Sequence, residues 1–102
     1  MTPPTEFQTS FAAADSARTK HILAITAVDA AKTALNCANV EFMTGLYLRS
    51  AADDYAARVK VREAAAALKQ AETARSAAKA EYEAAAREHD LVCEILGVKV
   101  AS

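Results

Sequence analysis

The chain contains no tryptophan, two glycines, two prolines and two cysteines among its 102 residues. With so few breakers, long stretches can continue as helix, and each breaker becomes informative by its position. The cysteines, Cys37 and Cys93, form no Cys-x-x-Cys pair and stand near no cluster of histidines, which removes the usual zinc and redox motifs. We read them as two reduced thiols that act as small hydrophobes, with an interchain disulfide as the alternative. Acidic and basic residues nearly balance, 13 against 12, for a formal net charge of −1 and a pI near 6.1. That balance gives no electrostatic basis for binding nucleic acid or an anionic membrane. No apolar run approaches the length needed to cross a bilayer. The opening residues, Met1-Thr2-Pro3-Pro4-Thr5-Glu6, lack the basic stretch and apolar run of a secretory signal. A cytoplasmic location is expected, or export by a route that uses no cleaved signal.

What the chain has in abundance is alanine, 27 of its 102 residues. Alanine buries little area per residue, and large apolar side chains are few, so the core must be thin. The length fits one domain, 1–102. A domain of this size with a thin core commonly needs a partner or a copy of itself.

The breakers mark the ends of two helices. Pro3 and Pro4 lie at the start, and Thr5-Glu6-Phe7-Gln8 then has the form of a capping box. No breaker follows until Gly45, which is placed as a left-handed residue after a helix end. Ser50 opens the next helix as N-cap, with Asp53 and Asp54 facing its positive end. The run from Ala51 to Leu96 has no proline or glycine and consists mostly of strong helix formers, ending at Gly97. The spacing predicts an all-α antiparallel helical hairpin: a helix over about 6–44, a turn over about 45–50, a helix over about 51–96, and a short tail. An alternative cap at Asp15-Ser16 would split off a short N-terminal helix.

A seven-residue ladder of small residues sets the register. Ser10, Ala17, Ala24, Ala31, Ala38 and Gly45 repeat along the first helix, and Ala57, Ala64, Ala71, Ala78 and Ala85 along the second. Four residues beyond each comes a second series, Ala14, His21, Val28, Leu35 and Phe42, then Val61, Leu68, Arg75, Tyr82 and His89. This is a coiled-coil seam with one core position made small, so that two antiparallel helices can pack closely. Folding at the turn pairs Ala31 with Ala64, Ala24 with Ala71, Val28 with Leu68, His21 with Arg75, Ala14 with Tyr82, and Phe7 with His89. It also brings Asp15 near Lys79, Lys32 near Glu63, and Glu41 near Arg58.

The seam leaves apolar side chains over. Phe11, Ile22 and Ile25 form a stripe beside it, while Leu23 lies elsewhere on the circumference. Met43, Leu46, Tyr47, Leu48, Tyr55 and Val59 cluster at the turn, and Leu91, Val92, Ile95, Leu96, Val98 and Val100 at the opposite end. Two helices cannot bury three such clusters, so we expect self-association into a bundle, a dimer in the first instance. The expected interaction surface is Phe11, Ile22, Ile25, Leu46, Tyr47, Leu91 and Ile95.

Chemical motifs are scarce. His21 and His89 lie at separate places in the register and share no metal site, so no catalytic, metal or cofactor residue is assigned. Arg18, Lys20, His21, Lys32 and Arg75 make one candidate anion site, suited to a ligand such as a nucleotide held between protomers. Arg49, Arg58, Lys60, Arg62 and Lys69 are interrupted by Glu63 and read as a solvated helix surface rather than a phosphate-binding stripe. The acidic residues lack calcium-loop spacing.

Met43-Thr44-Gly45 and the stretch Ser50-Ala51-Ala52-Asp53-Asp54-Tyr55 resemble the middle of the secreted Trp-x-Gly helical hairpins. The resemblance implies a hairpin of about this length that turns near its centre. Methionine stands where that motif has tryptophan, and Tyr82 is followed four residues later by Ala86 in place of the acid of the family's export signal. The function we expect is non-enzymatic: a helical-hairpin interaction protein that self-associates and binds a protein partner as adaptor, small chaperone or inhibitor. The alternatives are an oligomer that captures an anionic ligand, and a secreted Trp-x-Gly-like hairpin without the usual motifs.

Overall fold

A computed structural model describes residues 5–45 and 49–97. Two helices, α1 (Thr5–Thr44) and α2 (Ala51–Leu96), pack against each other as an antiparallel hairpin, without strands among the described residues. Their bounds follow from the breakers. Ser50 accepts a hydrogen bond from the Asp53 amide at 3.2 Å, the N-cap geometry that satisfies an orphan donor. Gly97 has φ +69°, the left-handed conformation that ends a helix most cheaply at glycine. No break occurs at Asp15-Ser16; the Asp15 carbonyl accepts from the Thr19 hydroxyl at 3.1 Å inside a continuous α1. The first helix is therefore single.

Gly45 departs from expectation. It is not left-handed, and its amide still donates to the Glu41 carbonyl at 3.2 Å, as in the helix before it. The Gly45 carbonyl is closed by a side chain instead: Arg49 Nε donates to it at 3.1 Å. Leu46, Tyr47, Leu48, Val98 and Val100 lie outside the described residues.

Every position of the two sequence ladders is buried or half-buried. The residues divide by packing into two compact units, Ala24–Arg75 in one and the flanking stretches, Met1–Leu23 with Ser76–Ser102, in the other. In the first unit Val28 is 1% exposed, a burial that stabilises by about 1.5–3 kcal/mol. Around it the seam is mostly alanine. Near the turn, the Arg49 guanidinium covers the Phe42 ring at 4.6 Å and that of Arg58 lies 5.6 Å from the same ring. Arg58 Nε donates to Asp54 at 2.8 Å, and Arg49 Nε lies 3.7 Å from the same carboxylate. Arg49 Nη2 is buried without a hydrogen-bond partner, a cost that the cation–π contact offsets in part. Glu41 pairs with Lys60 at 3.8 Å and not with Arg58, because Arg58 is turned toward Phe42 and Asp54. Both Glu41 and Lys60 are well exposed, so their pair adds little. Among the described residues no ion pair joins Asp15 to Lys79 or Lys32 to Glu63.

In the second unit Ala17 and Cys93 are buried, together with the hydroxyl-bearing Ser10. Phe7 meets His89, as the register requires, with ring centroids 5.1 Å apart. Tyr82 lies against His21 at 5.9 Å, although the register set it opposite Ala14. Alanine at 14 and 17 leaves room for the long tyrosine side chain to lean toward the neighbouring layer.

Candidate functional site

A polar cluster surrounds His89. Its Nδ1 lies 2.8 Å from Ser10 Oγ and its Nε2 lies 3.6 Å from Cys93 Sγ. Ser10 Oγ in turn donates to the Phe7 carbonyl at 3.2 Å. One tautomer satisfies every group: the Cys93 thiol donates to Nε2, Nδ1–H donates to Ser10, and Ser10 donates to the carbonyl. Phe7 and Phe11 stack on each other at 6.2 Å, and the imidazole stands tilted against both, 5.1 and 5.7 Å away. The order thiol, imidazole, hydroxyl is that of an activated nucleophile. Cys93 is only 2% exposed, however, so its sulfur is closed to a substrate in this arrangement. The cluster satisfies polar groups inside a thin core.

This trio escaped the sequence reading. The His89-x-x-x-Cys93 spacing places both on adjacent helical turns, and the register already carried Phe7 to His89; Ser10 is one turn beyond Phe7. The signal was present, but the choice of rotamer that joins the three was not. Both cysteines are free thiols, Cys93 buried and Cys37 exposed, so only Cys93 behaves as a small hydrophobe of the core.

Of the anion-site candidates, three lie open to solvent and two are half-buried. Arg18, Lys20 and Lys32 are exposed, and His21 and Arg75 are half-buried in the seam. Arg18 and Lys20 are two residues apart on one helix and project to different sides of it. His21 is engaged with the Tyr82 ring. The apolar candidates are open to solvent: Phe11 is 55% exposed, Ile22 50%, Ile25 40%, Leu91 55% and Ile95 74%. Leu46 and Tyr47 of that set lie outside the described residues. Among the described residues no group of three or more metal-ligating side chains converges, and no helix is long and apolar enough to cross a membrane. Compared with known proteins, the chain matches no family model, no curated relative and no solved structure.

Proposed function

We propose that the chain is a non-enzymatic interaction protein, a helical hairpin that self-associates and presents its remaining apolar surface to a protein partner. The observation that carries this reading is the imbalance between core and surface. Among the described residues, Ala17, Val28 and Cys93 are the buried hydrophobic ones, while Phe11, Ile22, Leu23, Ile25 and Ile95 are each at least 40% exposed. A globular monomer of 10.8 kDa exposes about 5,500 Å² by the usual mass scaling, and this chain exposes 7667 Å². The surplus, roughly 2,000 Å², lies within what one protomer of an obligate dimer covers. Leu91 and Ile95, far along α2, supply apolar surface for a partner of another kind. An exposed thiol at Cys37 suits a reducing, cytoplasmic setting. Light scattering at micromolar concentration tests the reading. A dimer mass is expected, and a stable monomer across that range would overturn it.

A further inference from the structure

We propose that Cys93 and His89 together bind a soft monovalent metal ion, Cu(I), held between the thiolate sulfur and imidazole Nε2. The site goes beyond the interaction reading and does not depend on it, since every residue it uses comes from one chain. Phe7, Ser10, Phe11, His89 and Cys93 also belong to a single compact unit, Met1–Leu23 with Ser76–Ser102.

His89 and Cys93 stand four residues apart on α2, a spacing at which two helical side chains share a face and can chelate one ion. Their Nε2 and Sγ atoms are 3.6 Å apart. Zinc, a first-row d10 ion, lies about 2.3 Å from thiolate sulfur and about 2.0 Å from imidazole nitrogen. With bonds of that length two donors of one ion stand about 3.5 Å apart at a tetrahedral angle and about 4.3 Å apart in line. The observed separation falls inside that range, so an ion can take the place of the thiol proton with small side-chain rotations. The other ring nitrogen is anchored: Nδ1 lies 2.8 Å from Ser10 Oγ, which donates in turn to the Phe7 carbonyl at 3.2 Å. A histidine that donates through one nitrogen presents the lone pair of the other, and a hydrogen bond of this kind orients metal-ligating imidazoles.

Charge and coordination number select the metal. Cys93 is only 2% exposed, and the Phe7 and Phe11 rings stand 5.1 and 5.7 Å from the imidazole. An uncompensated charge in such a place is costly. Cu(I) on a thiolate is neutral: the S–H bond breaks, an S–Cu bond forms, the proton leaves to solvent, and copper keeps its oxidation state. A divalent ion would retain positive charge and call for further ligands, yet among the described residues no group of three or more His, Cys, Asp or Glu side chains converges. Cu(I) accepts two ligands and is favoured by soft sulfur. The thiol lies three residues before the end of α2 at Leu96, and fraying of that last turn admits the ion.

Copper titration of the full chain tests the site. Cys37→Ser is the reference, so that the exposed thiol contributes nothing. Cu(I) is added without oxygen and challenged with a colorimetric Cu(I) chelator. The reference should retain one Cu(I) per chain, His89→Gln in the same background should lose most of it, and Cys93→Ala all of it. Circular dichroism establishes that each variant keeps its helices. Loss of all copper from the folded reference would overturn the proposal, as would equal retention by His89→Gln, which would mean a thiol acting alone. X-ray absorption at the copper edge of the loaded reference needs no substitution at the site. It should show one sulfur and one nitrogen neighbour, and a shell of sulfur alone or without sulfur would overturn the assignment.

Discussion

Leucine substitution at Ala31 and Ala71 measures how much the hairpin depends on its small-residue seam. Both alanines are half-buried on the seam, whereas Ala66 and Ala74 are exposed. Leucine is nearly as good a helix former as alanine, so intrinsic propensity contributes little to any difference among the four sites. At Ala31 or Ala71 the added isobutyl group must push the helices apart or adopt a strained rotamer, which costs about 1–3 kcal/mol. A domain of this length has a total stability of about 5–15 kcal/mol, so the loss is a large share. In urea, with a slope of about 1–3 kcal/mol per molar, the midpoint should fall by roughly 1 M. Leucine at Ala66 or Ala74 should leave it nearly unchanged. Protein concentration must be held fixed, because association adds to apparent stability. Equal shifts at all four sites would mean that the heptad reflects alanine-rich composition rather than a packed seam.

Two further perturbations address other parts of the structure. Ser50→Ala removes the acceptor for the Asp53 amide and should lower stability by about 1 kcal/mol in the same denaturation assay, with Ser50→Gly costing less. Reducing agent should change neither helical content nor melting temperature, since Cys37 and Cys93 are free thiols; a fall of many degrees in a melt would reveal a structural disulfide between protomers.

Much of the fold was legible because its signals are local or strictly periodic. Gly97 and Ser50 end and begin helices through their own backbone or side chain, and neither needs a distant partner to do so. The ladder repeats every seven residues, so even small side chains trace a face when many agree. The details that escaped are those decided by single side chains. Gly45 carries the residue type of a left-handed cap but has no positive φ, and Arg49, four positions later, donates to its carbonyl. The register brings Arg58 near Glu41, whereas its guanidinium is bonded to Asp54 and lies over the Phe42 ring. The His89 cluster joins residues separated by 79 positions through a rotamer choice that no sequence period records.

An alanine ladder has a further consequence for uniqueness. A bulky coiled coil is keyed at every layer, but here displacement of α2 along α1 by seven residues would carry alanine into the place of alanine. Such a slipped structure would recover much of the small-residue contact and forfeit comparatively little dispersion energy. The seam by itself is thus nearly degenerate under translation. The residues that break the degeneracy are those that do not repeat: Val28, Phe42 beneath its two guanidinium groups, and Ser10 bonded to His89. These aperiodic contacts create the energy gap that selects one alignment from a set of near equals. Variants that erase them should retain their helices while populating several alignments, a loss of definition more than a loss of fold.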